Sequence, residues 1–353
     1  MKTAYLSAAF TGLTAGAPVL QPDWAKGTAL GKPSTFDNFG CTVPQAAPDT
    51  PDPVLPDVVV EREVYDNLDL VMPDGAKLRV WGFRDPRSSA PATFPSPAIR
   101  VREGQVVHTR LHVKKGAHTI HHHGIEPLAF NDGVGHSSFE VNPTYTYQWR
   151  PHQAGTYAYH CHVNTVLHFE MGMYGLLIVD PPEGPGRVFS GGPKYDVEAF
   201  WVLDDFDPRW HTLDHGAGLC GGDAGLDRFE PKYFVVTGVT SDKTRTDPRV
   251  AVRARQGQSI LVRAVNSCYG PTRMTIAGLD AQIVAADARP LTGRYARPID
   301  LPAGRTLDLI TAQRHDLIIP AVRTGVFPVQ FEYLDWLTGR VVGRTDTTIT
   351  ITA

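Results

Sequence analysis

An internal repeat constrains this chain most. Arg102-Glu-Gly104-Gln105-Val-Val-His-Thr-Arg110 recurs 153 residues later as Arg255-Gln-Gly257-Gln258-Ser-Ile-Leu-Val-Arg263. Gly155-Thr-Tyr157-Ala-Tyr159 is echoed by Gly325-Val-Phe327-Pro-Val329, and the segment 174–180 by 347–353. Echoes that keep their order mean two tandem copies of one unit. Both copies are built of strand-length apolar runs, such as 99–113, 145–149, 156–161 and 176–179, broken by Gly, Pro, Asn and Asp. Helical periodicity is scarce, so the expected class is all-β, with two tandem β-sandwich domains. The length of 353 residues accommodates two domains of ordinary size.

The expected division is an extension and linker over 1–55, a first domain over 56–183 and a second over 184–353. The first segment is rich in Pro, Ala and Asp and ends in Pro48-Asp49-Thr50-Pro51-Asp52-Pro53. The domains join near Pro181-Pro182-Glu183-Gly184-Pro185. A net charge of -3 gives no reason to expect a nucleic-acid partner. No apolar run reaches the roughly 18 residues of a membrane span. Met1-Lys2 precedes an uncharged, moderately apolar stretch over 3–20, which reads either as a secretory signal or as a surface-lying arm.

The copies differ in what they carry. Of 14 histidines, 11 lie between His108 and His168, all in the first copy. A copper electron-transfer site takes two imidazoles, a thiolate and a weak thioether. Cys161, His168 and Met173 follow one another closely enough for one loop to close around an ion, and His118 would come from a neighbouring strand. Met171 competes with Met173 for the axial place. Gly172 favours Met173 by allowing a sharp turn just before it. Side chains alternate faces along a strand. If Cys161 points inward, His160 and His162 point the other way. His121 and His123 form a matching pair, with His122 opposed and structural. These four outward histidines can hold further metal. Zinc fits less well, because structural zinc sites usually show paired cysteines. The strand after Val106 is expected to put Val107, Thr109 and Leu111 inside and to leave His108, Arg110 and His112 solvated. His315 is expected at the surface, and His211 and His215 as candidate ligands across an interface. Cys41, Cys220 and Cys268 remain; Cys220 with Cys268 is the disulfide to test first, against three buried thiols.

These motifs resemble the multicopper oxidases, the laccase-like family of tandem cupredoxin domains. His118-Thr-Ile-His121-His122-His123-Gly124 is similar to that family's His-Pro-x-His-x-His-Gly, with Thr119 in place of proline. His160-Cys161-His162, His168 and Met173 are similar to its His-Cys-His and trailing His and Met, with two extra residues between Cys161 and His168. The resemblance implies cupredoxin-like Greek-key sandwiches. It implies a type 1 copper on His118, Cys161, His168 and Met173, and a type 2/type 3-like copper site on His121, His123, His160 and His162. Asp132, in Asn131-Asp132-Gly133-Val134, would be a proton donor. A small-molecule or redox-protein donor would deliver electrons near His168. Cys161 would pass them through its flanking histidines to a site that reduces dioxygen. The family's full cluster draws as many histidines again from a second domain. Here the corresponding residues read roughly Met274, Thr275, Ile276 and Ala277, with Gln330, Phe331 and Glu332 against His160-Cys161-His162. Two-domain copper nitrite reductases are similar in layout and need fewer histidines, with nitrite as acceptor and a homotrimer that completes the site. A blue-copper electron carrier is the non-enzymatic alternative. The resemblance also favours an exported protein.

Overall fold

The computed structural model describes residues 51–219, 222–294 and 296–353. Most of the expected extension, together with Cys41 and Cys220, lies outside them. The first unit contains β1 (Val58–Val71), β2 (Lys77–Arg84), β3 (Ser96–Arg102), β4 (Val107–His112), β5 (His121–His123), β6 (Thr144–Trp149), β7 (Gly155–His160) and β8 (Tyr174–Asp180). They form two sheets, β2-β1-β4-β6 and β3-β8-β7-β5. Two short helices, α1 (Ala129–Asp132) and α2 (Thr165–Glu170), sit in its loops.

The second unit runs through β9 (Val197–Phe206), β10 (Tyr233–Val236), β11 (Val239–Thr240), β12 (Val252–Arg255), β13 (Ser259–Asn266), β14 (Thr272–Ile276) and β15 (Ala281–Ala286). It continues with β16 (Arg289–Pro290), β17 (Ile299–Leu301), β18 (Thr306–Leu309), β19 (Arg314–Pro320), β20 (Gly325–Leu334) and β21 (Val341–Thr352). Its sheets are β11-β10-β9-β13-β19-β15-β16, with β17 also on β15, and β12-β21-β20-β14-β18.

The repeat is visible in the wiring. β1 pairs parallel with β4 as β9 does with β13, and β3 pairs parallel with β8 as β12 does with β21. The repeated Arg-x-Gly-Gln turn works identically in both copies. The side-chain carbonyl of Gln105 accepts from the Arg102 amide, and that of Gln258 from the Arg255 amide, each at 2.7 Å. One connection differs sharply. The turn between β1 and β2 occupies residues 72–76, whereas its counterpart between β9 and β10 occupies residues 207–232.

Each sandwich encloses its own apolar core. Val107, Leu111, Tyr147, Tyr157 and Leu177 lie in the first, and Ile260, Val262, Leu317, Val329 and Ile349 in the second. Two surface expectations fail. His108 is buried, because β4 lies between β1 and β6 and its cross-strand neighbours Val59 and Gln148 flank it. On the same face Arg110 is exposed and His112 half-buried. His315 is buried because β19 lies between β13 and β15.

A polar bolt crosses the seam between the units. The Thr156 hydroxyl on β7 donates to Asp316 on β19 and accepts from Arg263 Nη1 on β13 at 2.8 Å. Arg263 Nε reaches Glu198 at 2.7 Å, and Glu198 also takes Arg100 Nη1 from β3 at 2.7 Å. Arg263 is fully buried. Burial pushes the Asp316 carboxyl up, while Arg263 pulls it back. Removing one partner of a buried charged network leaves the other uncompensated. Asp316→Ala should therefore cost about 3 kcal/mol of unfolding free energy, read by urea denaturation. Asp69→Ala, at an exposed ion pair with Arg79, should leave the midpoint unmoved.

Candidate metal centres

Two donor sets meet at the end of β7. In the first, Cys161 Sγ lies 3.6 Å from His118 Nδ1 and 3.4 Å from His168 Nδ1. All three donor atoms fall within 4.8 Å of one another. His118 is held beside Val141 by a two-way backbone bridge just before β5. Cys161 follows β7, and His168 is on α2. The loop closes on itself through the Cys161 amide to Met173 carbonyl (2.9 Å) and the Met173 amide to His168 carbonyl (3.0 Å). Gly172 makes the turn with φ +101°, a left-handed conformation that disfavours a side chain. Met173 and Met171 are both buried in the core cluster that holds Cys161. The backbone of Met171 is bonded instead to the Trp81 amide, at 2.7 Å.

The protonation states suit a soft cation. Burial pulls His168 down to about 3 and His118 well below the ordinary imidazole range, so both rings stay neutral. His168 Nε2 is 3.0 Å from the His215 carbonyl, which can only accept. Nε2 therefore carries the proton, and Nδ1 keeps its lone pair toward Cys161. Burial pushes the Cys161 thiol up to about 12. Such a thiol yields its proton only to a compensating positive charge, as a bound metal supplies.

The second set lies on the opposite face. The ligand atoms of His121, His123 and His160 are within 4.8 Å of one another. The register His121↔His160 brings β5 and β7 together. His121 Nδ1 donates to the Asp132 carbonyl at 2.7 Å, and Asp132 Oδ1 is 3.2 Å from the same nitrogen. His160 Nδ1 donates to the Cys161 carbonyl at 2.8 Å, which leaves Nε2 to face His123 Nδ1 at 3.3 Å. His162 stands one ring away, 5.5 Å from His121 and 5.6 Å from His160 between centroids. Its Nδ1 is 3.0 Å from the Thr165 hydroxyl. Thr119, standing where the resembling motif has proline, accepts from the His162 amide at 2.9 Å. His122 points into the core, lies tilted against Trp149 at 4.6 Å between centroids and bonds Thr109 at 3.1 Å.

This second face is less open than the strand pattern alone implies. His160 is 5% exposed and His123 half-buried. Burial, then the Arg314 guanidinium of the second unit, hold His123 down to about 4. The second unit contributes no histidine to either set among the described residues. By pairing, His121 corresponds to Thr275 and not to Met274, a shift of one residue from the sequence reading, since His160 pairs with His121 and its counterpart Gln330 with Thr275.

His211 and His215 lie against the first unit of their own chain and enter neither donor set. Their segment, residues 207–219, lies over the first set. Trp210 is buried in the first core, and His211 Nδ1 donates to the Arg79 carbonyl at 2.6 Å. Asn164 Nδ2 donates to the Ala217 carbonyl at 2.8 Å. Aligning the two copies by connection length would have singled out this insert.

Paired sandwiches with a Cys-His set at one strand end define a cupredoxin-like copper fold. Residues 89–184 match the family model described as multicopper oxidase. Multicopper oxidase MmcO of Mycobacterium tuberculosis is 27% identical over 267 residues, covering 67% of this chain and 48% of that protein. A copper-containing nitrite reductase of Neisseria meningitidis serogroup B is 32% identical over 172 residues, covering 48% of this chain and 40% of that protein. The chain thus spans half or less of the length of these relatives. A blue copper oxidase from Nitrosomonas europaea has the same fold, with a TM-score of 0.65 at 24% identity over 83% of this chain and 86% of that one.

Depressed histidines give the copper-free protein an acid limit. His168 (about 3), His123 (about 4) and His211 (about 4) titrate below the 6.5 of an unfolded chain. Their folded values are depressed, so between pH 6.5 and 4 the unfolded state binds more protons. Stability should be complete above pH 6.5 and fall as pH drops through that window. His211→Phe should flatten the fall by up to about 3 kcal/mol, measured by denaturation of copper-free protein across pH.

Proposed function

We propose that the chain is a copper-dependent oxidoreductase of the oxidase type. His118, Cys161, His168 and Met173 hold a type 1 copper, and His121, His123, His160 and His162 hold the copper at which dioxygen is reduced. The observation that carries this reading is the meeting of two donor sets at consecutive residues, His160 and Cys161, on opposite faces. Bound copper would supply one-electron redox chemistry at the first set and a Lewis-acidic acceptor site at the second.

The residues do the rest. The core around Cys161 excludes water from the thiolate. The hydrogen bond from His160 Nδ1 to the Cys161 carbonyl ties the two sets by a path only a few bonds long. Asp132, a third exposed, holds a carboxylate oxygen 3.2 Å from His121 Nδ1 and can draw protons from solvent. The donor is a small molecule or a redox protein. A homotrimer, in which a neighbour's second unit covers the His121 and His162 side, would complete the shielding.

A second reading has one observation in its favour. Among the described residues, the outward histidines that bring their ligand atoms together are His121, His123 and His160. Three suits a single catalytic copper; the nitrite reductase alternative would take His123 and His160 with a third histidine from a neighbouring chain, and nitrite as acceptor.

Cys161→Ser should abolish the intense visible absorption and donor-driven oxygen uptake together. Undiminished uptake would overturn the scheme, and nitrite consumption in place of oxygen would select the second reading. Metal analysis separates the same cases: about four coppers per chain for a full oxidase, about two for a reductase-like site and about one for a carrier. Light scattering should return the mass of a trimer.

A further inference from the structure

The second unit lends no donor to the Cys161 set, yet it closes that set over. The long insert at 207–232 replaces a short turn of the first copy, and it brings His215 against the donor set. The His215 ring lies 4.5 Å from His168 and 4.8 Å from His118 between centroids. Its Nε2 donates to the Ala117 carbonyl at 2.9 Å, and its own carbonyl takes the His168 Nε2 proton at 3.0 Å. Gly116 leaves the room. It has φ +72°, and a Cβ there would sit 2.8 Å from His215 Nε2.

The consequence is a blocked edge. His168 and Cys161 are wholly buried and His118 nearly so, and the outward nitrogen of His168 is already spent on a backbone carbonyl. Beside the site, a cleft of about 620 Å³ is lined by Trp81, His118, Met171, His211, His215 and Lys115, among others. Trp81 stacks on His215 at 6.4 Å and 24°, and meets His168 edge-on at 5.4 Å. A donor in the cleft meets this ring pair, and of the donor set His118, 3% exposed, also lines the cleft.

We propose that His215 is a positioning residue of the first copper site: it seals His168 and moves the donor-facing surface to the Trp81–His215 ring pair. The inference rests on the copper reading of that site. A cleft of this size with an aromatic wall suits a small planar reductant. A protein donor is too large to enter the cleft and would dock outside it. Hydroquinone serves as the probe: it gives up two electrons, singly, to cupric ion and two protons to water in the cleft, leaving benzoquinone.

Closure is tested first without metal. In copper-free protein, iodoacetamide labelling of Cys161, read by peptide mass, should rise at least about tenfold in His215→Ala and in Gly116→Ala. Buried Cys268 is the internal reference, and its labelling should stay flat while the fold is intact. An unchanged Cys161 rate in both variants, with Cys268 flat, overturns the seal. In copper-loaded protein, His215→Leu keeps the backbone carbonyl and should retain the visible absorption. It should slow reduction by hydroquinone about tenfold in stopped flow, and reduction by ferrous cytochrome c should not change. Equal hydroquinone rates, or a slowing seen only with cytochrome c, overturn the entry route. If native protein loaded with copper shows no type 1 absorption, the copper reading fails, while the labelling result still decides closure.

Discussion

Strand β7 disciplines the rest of the molecule, because its alternation assigns every job. Thr156 and His160 fall on the face turned toward the second unit, and Tyr157, Tyr159 and Cys161 on the face turned into the core. The bolt to Asp316, the outer histidine and the buried thiol are therefore successive consequences of one register. A slip of one residue would exchange the faces, drowning Cys161 and burying His160 in apolar packing. The pairing with β5 and β8 on either side holds that register. Short as β5 is, it places His121 opposite His160 and no other residue.

The donor sets are costly to keep dry. Neutral imidazoles and an un-ionised thiol are the forms that burial tolerates in the absence of metal, and the burial of His118, His160 and Cys161 drives all three that way. Each ring nitrogen not aimed at its set has a carbonyl to occupy it in three cases: Asp132 for His121, Cys161 for His160 and His215 for His168. These carbonyls select the tautomer, so the lone pairs converge before any ion arrives. That is preorganisation by backbone, joined at His121 by the Asp132 carboxylate.

Much of this was legible in the sequence. The repeat predicts two sandwiches of one topology, and alternation along two short motifs predicts which histidines share a face. Position within a sheet was harder to read. His108 and His315 carry the polarity of surface residues, but β4 and β19 each have a strand on both sides, and no local pattern reports that. The one-residue shift at Met274 and Thr275 arose because the second copy has lost the histidines that would anchor an alignment. The role of residues 207–219 was illegible for a different reason. Its contacts with Arg79, Ala117 and Asn164 join residues far apart in the chain, and they depend on how two domains are set against each other.

That last dependence gives the seam bolt a mechanical meaning. Residues 207–219 are carried by the second unit, and their tip rests on the first. Thr156, held by Asp316 and Arg263, is then the fulcrum of a lever whose far end covers His168. Rocking of one sandwich on the other would shift that end. The cover rests on Arg79, Ala117 and Asn164, so it stays in place only while the joint holds the two sandwiches together. A copy without ligands is in this way the clamp on its twin.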